Sequence, residues 1–321
     1  MNAAVHERYG SPEVVEVKEI EKPAPDAGEV LVRVRAASLN RLDWYTLTGT
    51  PMLARMTGGF LKPKEAGLGV DFAGTVDAVG EAVTDLQPGD EVFGVRSGAL
   101  AEYVCAAKAV ARKPANLSLE EAAALPVAAL TALQGLRDKA ELKPGDRLLI
   151  NGASGGVGTF AVQIAKALGA EVTAVCSTRN VEQAQSLGAD RVIDYSREDF
   201  TRNGRRYDVL FDVAGSRSWR ECKRALEPHG KLVIAGAPKG NRILGPLGHI
   251  VGTRVAALGS SRRVIFFITK PNKDDLAELR GLVEAGRVRP AVERTYELSE
   301  TADALAYIGE GHTQGKVVIR V

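Results

Sequence analysis

The chain has 321 residues, 45% of them hydrophobic and 26% charged, with 42 basic against 40 acidic side chains for a net charge of +2. That length accommodates two domains. The composition is that of a globular protein, and it excludes long disorder and membrane spans. No basic stretch interleaves with aromatics, so nucleic acid is not an expected partner. Three cysteines stand far apart without a C-x-x-C, and four histidines form no H-x-x-x-H, so neither a disulfide framework nor a sequence-local zinc site is expected. The opening segment, residues 1–9, is charged and strand-like and lacks the apolar core of a secretory signal, which makes a reducing cytoplasm the expected compartment.

Between Val14 and Val110, short alternating runs such as VLVRVRA (30–36) are separated by turn clusters such as PAPDAG (23–28) and QPGD (87–90). This predicts a β-rich, barrel-like domain. Ser118 followed three residues later by Glu121 predicts a capped helix start, and Pro126 interrupts the alanine-rich segment that follows. Apolar runs at 148–153, 172–176, 191–195, 209–214 and 231–237 then alternate with amphipathic stretches, the rhythm of a doubly wound parallel sheet. A further apolar run, 253–258, is expected to be a sixth strand at the sheet edge, where an open ladder recruits its copy in a symmetric dimer. The tail, with a helix over 273–285 and a strand over 316–321, is too small to fold alone and is expected to pack back on the first domain. The fold class is therefore α/β: a Rossmann-type parallel sheet domain plus a β-barrel.

Residues 148–168 join strand, glycine turn and helix without a gap. Leu148 to Ile150 form a short apolar run, and Phe160, Ile164 and Leu168 recur every fourth residue. Gly152, Gly155 and Gly158 permit a tight turn, close approach of a pyrophosphate and close seating of helix on strand. Amides at the helix start then face the phosphates. The spacing departs from G-x-G-x-x-G, because Ala153 stands where the first glycine would be. A glycine-rich turn without a ligand has the same form. About twenty residues on, the second strand ends in Cys176-Ser177-Thr178-Arg179 with no acid to take a ribose 2′-hydroxyl. Ser177 and Arg179 instead suit a 2′-phosphate, which favours NADP(H) over NAD(H). Arg179 as a plain surface arginine is the other reading.

Together with GVDFAGTVDAVG (69–80), PGDEVFG (88–94), LPVAALTA (125–132), NGASGGVG (151–158), LGAD (187–190) and GKVVI (315–319), these features resemble the medium-chain dehydrogenase/reductase superfamily, specifically its zinc-independent quinone oxidoreductase-like branch. The resemblance implies a GroES-like barrel domain over 1–122 completed by 267–321, a Rossmann NADP-binding domain over 123–266, an active site in the cleft joining them, and a homodimer. Zinc-dependent relatives carry a Cys and a Gly-His-Glu motif where this chain has Ser38-Leu-Asn40 and Gly69-Val-Asp71, so the resemblance implies no metal. It also implies cofactor contacts at Thr131, Ser154, Gly155, Gly156, Val157, Gly158, Ser177, Arg179, Tyr195, Phe267 and Lys316.

For the chemistry, the resemblance points to Asn40 and Asp43 in an Asn-x-x-Asp loop, with Asn40 bonding the nicotinamide amide or the substrate carbonyl. Arg41 stands where proline is commoner and removes that ring's constraint. Asp43 has two readings, catalytic or orienting the loop through backbone amides. Tyr45 is either a proton donor or a packed aromatic. Asp71 reads as a buried structural carboxylate, Cys176 as a packed thiol, and the run Phe266-Phe267-Ile268 as either cleft wall or core strand. The expected activity is NADPH-dependent hydride transfer to a quinone or an α,β-unsaturated carbonyl without zinc, with a small-molecule electrophile as partner. The alternatives are an alcohol dehydrogenase or aldehyde reductase, and a low-turnover NADPH-binding redox sensor.

Overall fold

The computed structural model describes residues 1–52, 55–236, 246–311 and 313–321. The chain begins with β1 (Asn2–Val5), β2 (Glu16–Glu19) and β3 (Val30–Leu39), then α1 (Arg41–Thr48) and the single-turn α2 (Arg55–Gly58). Strands β4 (Asp71–Val79), β5 (Glu91–Val95), β6 (Tyr103–Ala106) and β7 (Val110–Arg112) follow, then α3 (Leu119–Ala123) and α4 (Pro126–Leu133). The central portion runs β8 (Arg147–Asn151), α5 (Gly156–Ala167), β9 (Glu171–Cys176), α6 (Val181–Ser186), β10 (Arg191–Asp194), β11 (Tyr207–Asp212), α7 (Trp219–Ala225), β12 (Leu226–Ile234), α8 (Pro246–Ala256) and β13 (Arg263–Phe266). The tail adds α9 (Lys273–Glu284), β14 (Val292–Glu297), α10 (Thr301–Glu310) and β15 (Lys316–Arg320).

Two compact units result: Met1–Leu130 with Lys270–Gly286 and Pro290–Val321, and Thr131–Thr269 with Arg287–Arg289. This division falls at 130/131 and 269/270, beside the expected boundaries 122/123 and 266/267, and α3, which packs on β3, β4 and β5, lies in the first unit. Ser118 caps α3 by accepting from the Glu121 amide at 3.2 Å while the Glu121 carboxylate accepts from the Ser118 amide at 2.9 Å, the capping box its spacing predicts.

In the first unit the sheet order is β14-β15-β3-β4-β5-β7, with β6 also paired to β3. The C-terminal strand β15 thus pairs with β3, as the tail was expected to do. Strand β3 buries Val30, Val32 and Val34 with Phe72 and Val92, and farther along Ala37 and Leu39 with Leu47, Leu305 and Val317. Burying each such large side chain stabilises by roughly 1.5–3 kcal/mol.

The second unit is one parallel sheet ordered β10-β9-β8-β11-β12-β13. Its first five strands are those expected from the apolar runs, although Ala237, at the end of the fifth run, lies outside the described residues. The sixth differs. Residues 253–256 continue helix α8, and β13 is the edge strand instead. Ile250 and Thr253 are buried and Ala257 packs on the same core, whereas Val251, Val255 and Leu258 are exposed: a spacing of three and four residues, which is helical.

Glycines fix the join of β8 to α5. Gly152 has φ +91°, and a Cβ on Gly158 would lie 2.1 Å from the Gly152 carbonyl oxygen and 2.7 Å from Ala153 Cα. Only glycine lets the helix sit this close to the turn. Gly155, at the helix N-cap with φ −80°, would meet nothing nearer than 4.0 Å. Calorimetric melting is therefore expected to separate them: Gly158→Ala costs about 1–3 kcal/mol, while Gly155→Ala stays within about 0.5 kcal/mol of the parent. Equal melting temperatures for the two variants would contradict this packing.

Candidate functional site

In the barrel unit, β3 and β4 pair so that Ser38 stands opposite Asp71, and β15 brings Val318 opposite Ser38 on the other side. Asp71 is fully buried, and both its oxygens are occupied. Oδ2 accepts from Ser38 Oγ at 3.0 Å, Asn40 Nδ2 at 2.8 Å and Lys316 Nζ at 3.2 Å; Oδ1 accepts from the Val127 amide at 3.0 Å. Lys316, 2% exposed, also donates to Asn40 Oδ1 at 2.7 Å and to the Leu39 carbonyl at 3.1 Å. An ammonium can only donate and a carboxylate only accept, so these partners also fix which way round the Asn40 amide sits.

The sequence-derived roles change accordingly. Lys316, expected among the cofactor contacts, is the buried counter-ion of Asp71, with one acceptor for each of its three hydrogens. Asn40 has its carbonyl and one amide hydrogen engaged here and keeps the second amide hydrogen. Asp71 is the buried carboxylate expected, but its neighbours are mainly side chains rather than backbone amides.

Asn40 also precedes α1, where its backbone amide donates to Asp43 Oδ2 at 2.6 Å. Asp43 is buried; that burial, reinforced by the charge of Asp71, pushes its carboxyl up to about 7. This geometry supports the loop-orienting reading of Asp43. The constraint that proline would supply at position 41 comes from Arg41 itself, whose guanidinium donates to the Ile308 carbonyl at 2.9 Å and ties α1 to the last turn of α10. Tyr45, one turn along α1, lines a cavity of about 390 Å³ in this unit, and its hydroxyl has no hydrogen-bond partner among the described residues. Of the three catalytic candidates, its side chain is the one that lines this cavity.

In the second unit the candidate cofactor residues gather at the carboxyl ends of adjacent parallel strands, where open α/β sheets bind ligands. The glycine turn follows β8, and the Gly152 and Ala153 amides donate to the Val175 carbonyl on β9 at 3.2 and 3.0 Å. Ser177 follows β9, and Tyr195, more than half exposed, follows β10; the Tyr195 amide donates to the Cys176 carbonyl at 3.0 Å. Arg179 is exposed on the short turn between β9 and α6. Gly155 caps a twelve-residue helix without a side-chain cap and has open space where a Cβ would be. The first amides of α5 are thus those of an uncapped helix start, and the cradle fits a dinucleotide phosphate. Thr131 Oγ1 lies 2.7 Å from Thr269 Oγ1, and a Cβ on Gly135 would lie 2.5 Å from the Phe211 ring and 3.0 Å from that of Phe267. Cys176 is buried, which pushes its thiol up to about 11 and makes it a packed residue.

Two groups had no sequence signal. Asn151 Nδ2 donates to buried Asp212 Oδ1 at 2.8 Å and to Ser216 Oγ at 3.1 Å, bracing the turn after β11 against the glycine turn. Asp194, at the end of β10, accepts from Thr178 Oγ1 at 2.5 Å, which places an acid beside the Ser177–Arg179 segment. Among the described residues no group of three or more His, Cys, Asp or Glu side chains comes together as a metal site.

A GroES-like barrel and a parallel-sheet domain define an oxidoreductase of the medium-chain dehydrogenase/reductase class. Residues 26–115 match the alcohol dehydrogenase GroES-like domain family, and residues 187–319 match the zinc-binding dehydrogenase family. A chloroplastic quinone oxidoreductase of Triphysaria versicolor is 33% identical over 99% of this chain and 98% of its own. A chloroplastic NADPH-dependent alkenal/one oxidoreductase of Arabidopsis thaliana is 33% identical over 99% of this chain and 79% of its own. The quinone oxidoreductase of Coxiella burnetii superposes with a TM-score of 0.87 at 31% identity, covering 100% of this chain and 99% of that one. The Escherichia coli quinone oxidoreductase complexed with NADPH gives 0.83 at 26% identity, covering 100% of both chains. The chain belongs to the quinone oxidoreductase-like family and is an oxidoreductase.

Two outcomes follow from the barrel geometry. Lys316→Met leaves Asp71 buried without its counter-ion and is expected to cost about 3–5 kcal/mol in urea unfolding. Adding Asp71→Asn is expected to restore more than half of that, and strictly additive losses would mean that the two groups do not interact. For Asp43, a folded-state pKa of about 7 lies above the ~3.9 of an unfolded aspartate, so the folded state favours the protonated form. The associated stability is full below about pH 4 and is lost as pH rises through 7. The parent's melting temperature is expected to fall between about pH 4 and 7, and Asp43→Asn is expected to flatten that fall.

Proposed function

We propose that the protein is an NADPH-dependent reductase that delivers hydride to a quinone or an α,β-unsaturated carbonyl without zinc. The observation that carries the zinc-free reading is the Asp71–Lys316 pair. At the strand position where zinc relatives present ligands, this carboxylate already accepts four hydrogen bonds, and a fixed ammonium sits against it. The nicotinamide, when bound, supplies the hydride. The chain's own part is to hold and polarise. The amides of Gly155 to Gly158 and the Arg179 guanidinium take the phosphates.

Asn40 offers its second amide hydrogen to the acceptor oxygen, and that donor is strengthened because Lys316 bonds the same amide's carbonyl. Tyr45, which lines the cavity, supplies a proton to the product oxygen or carbon. The enolate or hydroquinone anion is basic enough to take it from a phenol or from water. Buried, unpaired cysteines are consistent with a reducing cytoplasm, and the edge position of β13 is consistent with a homodimer.

The test is oxidation of NADPH and NADH by the purified protein with quinones, enones and simple aldehydes, each with and without chelator. NADPH-selective turnover on quinones or enones that survives chelation is expected, and Arg179→Gln should raise the KM for NADPH about tenfold or more while sparing NADH. Turnover confined to simple aldehydes and abolished by chelator would overturn the reading.

A further inference from the structure

The cavity that Tyr45 lines is larger than the proposed chemistry requires. A dry pocket of about 150 Å³ holds a benzene-sized ring, and this one has about 390 Å³. Much of its wall is apolar or aromatic: Tyr9, Leu42, Pro51 and Pro63 stand around Tyr45. Three charged residues share the wall. Arg55 is held at the end of α1 by the Gly49 and Thr48 carbonyls, at 2.8 and 3.2 Å, with its guanidinium 4.3 Å over the Tyr9 ring. Lys64 and Glu65 are neighbours of opposite sign. Arg55 is thus committed to a helix C-terminus and the other two offset each other, so the wall has no strong preference for an ionic head group.

Exposed apolar side chains also concentrate in the chain segments that line this cavity. Of the twelve large hydrophobic side chains that are exposed among the described residues, five lie between residues 42 and 61: Leu42, Met52, Met56, Phe60 and Leu61, each 44% to 87% exposed. Leu42 lines the cavity, and each of the other four is within two residues of one that does. Single exposed hydrophobics are ordinary, but this clustering around one mouth is not. Two of the five are methionines, whose flexible thioethers adapt to ligands of varied shape.

We propose that the cavity and this collar take a hydrocarbon substituent of the hydride acceptor. The preferred substrates are then quinones or enones carrying an apolar chain of several carbons rather than bare rings or small enones. The inference rests on the reductase reading and deepens it. Each methylene transferred from water to the collar is expected to raise kcat/KM, through KM, about two- to fourfold until the collar is covered.

The experiment compares NADPH oxidation with alkyl vinyl ketones and 2-alkyl-1,4-benzoquinones from methyl to nonyl, each below its aggregation limit. Calorimetric binding of the matching saturated ketones runs beside it. A rising, then flattening, dependence is expected, and Met56→Ser, Phe60→Ser and Leu61→Ser should each move the nonyl-to-methyl ratio toward one. A flat chain-length profile in an enzyme that turns over short enones overturns this inference and leaves the reductase reading standing. Absence of turnover at every length overturns the reductase reading; the calorimetry then decides, and equal affinities for methyl and nonyl ketones overturn the inference as well. If the serine variants change the oligomeric mass but not the ratio, the collar is an interface between copies and the proposal falls.

Discussion

A single buried carboxylate organises the barrel. Asp71 gathers a hydroxyl from β3, an amide from the start of α1, an ammonium from β15 and a backbone N–H from α4. A buried ion pair of this kind adds little net stability when complete, because desolvation offsets the attraction, yet it tolerates the loss of neither partner. What it supplies is specificity of arrangement. The same atoms that neutralise Asp71 set the rotamer of Asn40 and the point at which β3 turns into α1, and through them the start of the helix that carries Tyr45. Burial of Asp43 beneath that turn has the same logic: a carboxyl held partly protonated orients a backbone amide without adding a second full negative charge beside Asp71.

The turn between β8 and α5, where a nucleotide is proposed to bind, is built by geometry rather than charge. Three glycines at equal spacing perform three separable tasks: Gly152 adopts a positive φ, Gly158 lets helix meet turn, and Gly155 leaves room over the amides. Side chains intervene only to brace the neighbouring turn, through Asn151 and Asp212. Asp194 introduces a tension here, since it holds negative charge near the segment read as a phosphate site. Its carboxylate is lowered below the usual range by the Thr178 and Ser196 hydroxyls, so that charge persists beside the segment for which a phosphate is proposed.

Much of the architecture could be read in the sequence, because it follows from periodicity and local chemistry. The parallel strands are short apolar runs between turn signals, and the Ser118–Glu121 box and the 151–158 turn are complete within a few residues. The run at 253–258 failed for a physical reason. Six residues, with Arg254 and Thr253 among four apolar ones, are too few to carry a distinguishable period, and the burial of Ile250 with Thr253 and Ala257 shows that it is helical. The site was less legible. Asp71 and Lys316 are 245 residues apart, and no local signal states that β15 lies beside β3. Lys316 was therefore placed by resemblance among the cofactor contacts, and Asn40 was read as bonding the nicotinamide amide or the substrate carbonyl.

The discontinuous barrel also has a consequence for biosynthesis. Strand β3 sits between β4 and β15, and β14 and β15 follow the main segment of the parallel-sheet unit in the chain. The parallel-sheet unit is continuous apart from residues 287–289 and can reach its native topology while the chain is still tethered. During that interval the nascent barrel carries an open β3 edge and an Asp71 without its cation. Until β15 pairs with β3, the barrel is therefore short of one strand and of the cation that balances Asp71.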